Sequence, residues 1–92
     1  MSVQVNLAAV LAERAGGRNK LDCTGKNIEQ LLKNLTSEYE ELGSILWRKS
    51  GEFNPMLLVF RNDEDIRGLE GLATTLNDGD RVAIIAALEG GS

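Results

Sequence analysis

The chain reads as an α+β domain: a mixed sheet of four to five strands with one main helix packed on one face. Three observations predict it. Val3, Val5 and Leu7 alternate with Gln4 and Asn6, the period-two pattern of a strand with one buried face. Ile28, Leu31, Leu32, Leu35, Tyr39 and Leu42 recur at helical spacing and form an apolar stripe suited to lying on a sheet. Two later segments, the apolar run Met56 to Phe60 and the largely apolar Arg81 to Ala86, follow turn or loop residues and have the length of strands.

In chain order, the first strand runs into a second apolar tract, Ala8 to Leu11. The end of that tract, Glu13-Arg14-Ala15, suits either a helical turn or the start of a loop. Gly16-Gly17 marks a turn, and Arg18 to Thr24 reads as a returning strand with Leu21 and Cys23 on one face, which makes a hairpin. Gly25 breaks that strand. Asn27 has the character of an N-cap, and Gln30 stands at the capping-box spacing. Glu29 and Lys33 add an i,i+4 pair, and Gly43 is expected to end the helix as its C′ residue. Ile45-Leu46-Trp47 can form a further helical turn, and Ser50-Gly51 is a loop.

The run after Pro55 is apolar at every position. That predicts a central strand, or one whose outer face is not free solvent. Asn62-Asp63 is a turn, Glu64-Asp65-Ile66 a brief strand, and Gly68 to Leu76 a short helical turn or loop that offers Leu69, Leu72 and Leu76 to the core. Asn77-Asp78-Gly79-Asp80 is a turn and Arg81 to Ala86 the last strand. Residues 1–87 are expected to form the folded domain and residues 88–92 a flexible C-terminal tail.

Composition narrows the chemistry. The chain has 92 residues, which suits a single domain. Ten basic residues stand against 14 acidic ones, a net charge of −4 that disfavours nucleic acid as a partner. No apolar run approaches the roughly 18–20 residues of a membrane span, and the N-terminus has no signal-type pattern. With 1 cysteine and 0 histidines the chain offers no Ser-His-Asp or Cys-His arrangement and no zinc site of N and S ligands. The reading is a non-enzyme with no catalytic residue, no metal and no bound cofactor, in the reducing cytoplasm. Cys23 is expected to be a buried structural thiol.

The segment most suggestive of function is the last one. Gly90-Gly91 lacks Cβ atoms and can pass through a channel too narrow for other residues, so that the main-chain carboxyl group reaches another protein's active site. The spacing Leu76-x-Asp78-Gly79-Asp80-x-Val82-x-Ile84, followed closely by Gly90-Gly91, resembles the C-terminal signature of the MoaD/ThiS family of ubiquitin-like, β-grasp sulfur carriers. Asn62 to Arg67 and Gly71 to Thr74 are similar to its CysO-like branch, the carriers linked to cysteine biosynthesis. The resemblance is closest over residues 56–91 and fits the whole chain in element order.

That resemblance implies a mechanism. An E1-like partner lets the Gly91 carboxylate attack the α-phosphorus of ATP, a sulfide or persulfide displaces AMP, and the resulting Gly91 thiocarboxylate donates sulfur to a downstream synthase, for cysteine, another sulfur metabolite or molybdopterin. ATP is used by the partner and not held by the carrier. The family's active form ends at the second glycine, whereas Ser92 follows here. Either a protease, such as a metalloprotease, removes Ser92, or the residue is an addition, or the chain as written is inert. The family also has proline where Ala86 and Ala87 stand, and often alanine in place of Glu89. In the last strand, Val82 and Ile84 share one face and Ala83 and Ile85 the other. If the first pair is core, Ile85 and Leu88 are the partner-binding residues. The alternatives are a ubiquitin-like modifier conjugated through Gly91 and a β-grasp binding module that does not use its tail.

Overall fold

A computed structural model describes residues 2–86. Strand β1 (Val3–Leu7) leads into a short helix α1 (Ala9–Ala12) and a 3-10 turn (Glu13–Ala15), then strand β2 (Lys20–Cys23). Helices α2 (Ile28–Glu38) and α3 (Glu40–Leu46) follow. Strands β3 (Leu57–Arg61) and β4 (Glu64–Asp65), 3-10 turns at Ile66–Gly68 and Gly71–Ala73, and strand β5 (Arg81–Ala86) complete the described chain. One mixed sheet runs in the order β2-β1-β5-β3-β4, with β5 in the middle, parallel to β1 and antiparallel to β3.

The core lies between one face of this sheet and the helices. Val3, Val5, Val82 and Ile84 from the strands meet Ile28, Leu31, Leu32 and Leu35 of α2, all fully or almost fully buried. The alternation that predicted β1 is therefore realised, with Gln4 and Asn6 on the outer face. The start of α2 follows the capping box. Asn27 Oδ1 accepts from the Gln30 N–H at 2.8 Å, which satisfies one donor the helix leaves free, and Gln30 Oε1 reaches back past the cap to accept from the Lys26 N–H at 2.7 Å. Glu29 and Lys33 form their pair at 3.1 Å.

Three expectations about the first half of the chain are corrected. The β1–β2 connection is not a tight glycine turn. It detours through α1 and the 3-10 turn because Leu11, Ala12 and Ala15 are all buried, and Gly16 (φ 68°) then reverses the chain in a left-handed conformation. Paired residues in β2 span Lys20–Cys23, less than the Arg18–Thr24 expected. Nor does the main helix run through to Gly43. It stops at Tyr39 (φ −119°, ψ 86°), and Gly43 lies inside α3. A single straight helix from 28 to 46 would run for ~28 Å. The bend returns Leu42 and Leu46 to the core, and Gly43 sits where a Cβ would stand 3.7 Å from Thr36 Cβ of α2.

Strand β3 lies second from the edge. Its continuous apolar character instead reflects an outer face on which Leu58 and Phe60 are half-buried. Asn62 and Asp63, both at positive φ, make the tight turn to β4. Ile66 belongs to the 3-10 turn and not to the brief strand expected there, and Leu76 is the most buried of the three leucines offered by 68–76. Trp47 and Phe53 bridge the ends of the 48–52 loop, their rings edge to face at 5.7 Å. No helix among the described residues is long and apolar enough to cross a membrane.

Candidate functional site: the end of the central strand

The described chain ends on β5, so the hold on β5 decides how rigidly anything beyond it is presented. Its C-terminal half is gripped from both sides. Leu57 pairs with Ala86 and Leu58 with Ile85, while Leu7 pairs with Ile84 and the Ala8 N–H donates to the Ile84 carbonyl at 3.0 Å.

The N-terminal end of β5 is tied down by the Asp-Gly-Asp turn. Asp80 accepts from the Asn77 N–H at 2.8 Å and from Asn62 Nδ2 at 3.0 Å, and faces Arg61 Nε at 3.8 Å. The Asn62 amide and main chain reach across to Arg81: its Oδ1 accepts from the Arg81 N–H at 3.0 Å, and its own N–H donates to the Arg81 carbonyl at 2.8 Å. The Asp80 carbonyl accepts from Gln4 in β1. Asp78 accepts from the Ser2 N–H at 2.7 Å, and Gly79 (φ 88°) donates back to the Ser2 carbonyl. One turn thus joins β1, the β3–β4 hairpin and β5. The Asn62 amide, then the Asn77 N–H and the Arg61 charge, hold the Asp80 carboxyl below its ordinary range, against the opposing effect of partial burial. The sequence marks this turn but not its link to Asn62. The Asn-Asp dipeptide at the hairpin was the available sign.

Val82 and Ile84 are fully buried, so Ala83 and Ile85 face outward as expected, and Ile85 is 38% exposed. On that outer face Ile85 lies opposite Leu58 and Ala83 opposite Phe60, which makes an apolar strip. The large apolar side chains exposed among the described residues are Val10, Met56 and Ile85. All three belong to the end of the sheet where β5 finishes. Val10 is on α1, which packs against β5, and Met56 immediately precedes the partner of Ala86. The other expected site residues, Leu88, Gly90, Gly91 and Ser92, lie outside the described residues.

Cys23 is half-buried against the core. Burial pushes its thiol pKa up, and the sulfur lies 3.8 Å from the Leu31 carbonyl, so it is packed more than reactive. A pocket of about 170 Å³ between Phe53, Pro55, Leu57, Ile66 and Arg67 is smaller than the roughly 300 Å³ at which small-molecule sites begin. On its rim Arg67 forks onto Asp65 (Nη2–Oδ2 2.7 Å), and this partner holds the Asp65 carboxyl below its ordinary range. Both groups are thereby occupied with each other. The apolar end of β5 is the stronger candidate.

Strand order and helix placement define a ubiquitin-like β-grasp protein. The chain is 31% identical over 93 residues to the sulfur carrier protein CysO of Mycobacterium tuberculosis, covering 99% of this chain and 100% of that one. The ThiS family model matches residues 5–91, and the chain belongs to the ThiS family. Among solved structures, it superposes on small archaeal modifier protein 1 of Methanosarcina acetivorans with a TM-score of 0.88 and 32% identity, covering 97% and 95% of the two chains. A second match, at TM-score 0.84 and 25% identity over 92% of this chain and 94% of the other, is to the Amycolatopsis orientalis BexX/CysO complex.

Proposed function

We propose that this chain is a sulfur carrier that works through its own terminal acyl group, with residues 1–87 as the handle and 88–92 as the segment that enters a partner's active site. The observation that carries the reading is the anchorage of β5 in the centre of the sheet, a few residues before Gly90-Gly91. The likeness to CysO over essentially the whole chain supports it.

In this reading an E1-like enzyme binds the carrier and supplies ATP. An oxygen of the Gly91 carboxylate attacks the α-phosphorus and pyrophosphate leaves. Sulfide then adds to the acyl carbon of the adenylate and AMP departs, leaving a thiocarboxylate. The carrier supplies no acid, base or metal, and a downstream synthase accepts the sulfur. The reacting carboxylate in this reading is that of Gly91, and a protease that removes Ser92 is one way to free it. A CysO protein has been crystallised together with a partner, BexX, which fits a carrier that works by docking. A second reading, conjugation to lysines through Gly91, draws on the likeness to a protein named a modifier. The same adenylate serves both.

Intact-mass analysis of the protein from its native cells tests the proposal. The expected species ends at Gly91 with one oxygen replaced by sulfur. Lysine-linked adducts in place of it would establish the modifier reading, and a chain found only with Ser92 attached and no sulfur would overturn both.

The partner is proposed to grip the apolar end of β5 through Ile85, with Leu88 beyond it. Ile85→Glu is expected to leave the fold intact, since the side chain is already 38% exposed, and to slow adenylation by the activating enzyme about tenfold. Unchanged adenylation kinetics would remove Ile85 from the contact.

A further inference from the structure

Strand β2 is one edge of the sheet. Its pairing with β1 shows which of its main-chain groups remain open. The Leu7 N–H donates to the Asn19 carbonyl at 2.9 Å, so the hydrogen-bonded pairs continue at Val5–Leu21 and Val3–Cys23. The main-chain N–H and C=O of Lys20 and Asp22 therefore point away from β1, to the open edge. Their side chains lie on the outer face and are exposed, while Leu21 between them is buried. The edge is bounded at its far end, where the Thr24 carbonyl is taken by Asn34 Nδ2 at 2.7 Å.

We infer that this edge pairs with the same edge of a second copy, antiparallel and about a two-fold axis through Leu21. Three conditions select that register. The outward-pointing main-chain groups of one strand must meet those of the other. Side chains opposite each other must lie on the same face of the joined sheet. Opposite charges must meet. Placing Lys20 opposite the second copy's Asp22 meets all three, and the symmetry repeats the match with Asp22 opposite the second copy's Lys20, each pair exchanging both of its N–H···O bonds. Sliding by the two residues that the face alternation allows sets Lys20 against Lys20 or Asp22 against Asp22, and Arg18, which would meet Asp22 in the first of these, lies outside the paired strand with its N–H given to the Ala15 carbonyl at 3.2 Å, so within the strand the adjacent registers are repelled. Charged residues on a short edge strand ordinarily discourage pairing. Here their order along the strand is self-complementary, which discourages all registers but one. Both copies keep the outer face of β5 uncovered, because β1 separates it from β2. The association needs neither the tail nor its chemistry.

The test is amide NMR and sedimentation of the full chain from dilute to millimolar concentration, with three variants. A weak, concentration-dependent dimer is expected, with the Lys20, Leu21 and Asp22 amides shifting most. Lys20→Asp and Asp22→Lys should each weaken it about tenfold, since symmetry counts every substitution twice. The double variant, with the charges exchanged, should recover wild-type association. A chain that stays monomeric throughout, shifts centred on Ile85 instead, or a double variant as weak as the singles would each overturn the inference.

Discussion

Gly25→Ala is expected to destabilise the protein by about 3 kcal/mol, a fall in Tm of roughly 15 °C. Gly25 carries the chain from the end of β2 into the cap of α2, and it is buried. A Cβ there would stand 2.5 Å from Leu31 N, 2.6 Å from Leu31 Cα and 2.9 Å from its Cβ. These are mostly backbone atoms in the first turn of the helix, with no flexible side chain to move aside. The helix would have to lift from the sheet, and with it the buried Ile28 and Leu32. Gly16→Ala is the informative contrast. Nothing lies within 4 Å of that position, and only its left-handed φ of 68° opposes a side chain, so a cost of about 1 kcal/mol is expected. Urea titration of the two variants measures the difference. Equal midpoints would mean that the approach of β2 to α2 does not limit stability.

Asp80→Ala is the second large effect, about 2 kcal/mol at neutral pH. It removes the acceptor for the Asn77 N–H and Asn62 Nδ2 and leaves Arg61 without its facing charge. The effect should depend on pH in a defined direction. In the folded chain the Asp80 carboxyl is held below its ordinary value, chiefly by the Asn62 amide. The ionised group therefore stabilises the fold above about pH 4, and this contribution disappears as the pH falls through the folded value. The gap in stability between wild type and Asp80→Ala should be widest near neutrality and shrink in acid. Asp65 is also held low by its neighbour Arg67, but it is present in both proteins and cancels from the comparison. Chemical denaturation at a series of pH values gives the result, and a gap independent of pH would show that the charge of Asp80 contributes nothing.

What was legible in the sequence was local. Asn27 and Gln30 announce the start of α2 because a cap is made by residues adjacent in the chain, and both hydrogen bonds are present. Val82 and Ile84 announce the inner face of β5, and Ile85 the outer, because a strand has only two faces. What escaped depends on partners distant in sequence. The apolar stripe runs past Tyr39 without interruption, so periodicity alone extends the helix, and the break there shows only in the packing of Leu42 and Leu46 into the core. The detour through α1 was ambiguous because Ala9-Val10-Leu11-Ala12 suits strand or helix until its neighbours are known. Within the candidate site, the Asp-Gly-Asp turn was visible, whereas its knot with Asn62 joins residues 18 apart in sequence.

The middle position of β5 has a mechanical consequence. Any enzyme that draws the end of the chain into a narrow cleft pulls along the axis of this strand. Ladders on both flanks, to β1 and to β3, then bear the load sideways and together, where an edge hairpin would open one rung at a time. A domain built this way resists opening when a force is applied along its last strand.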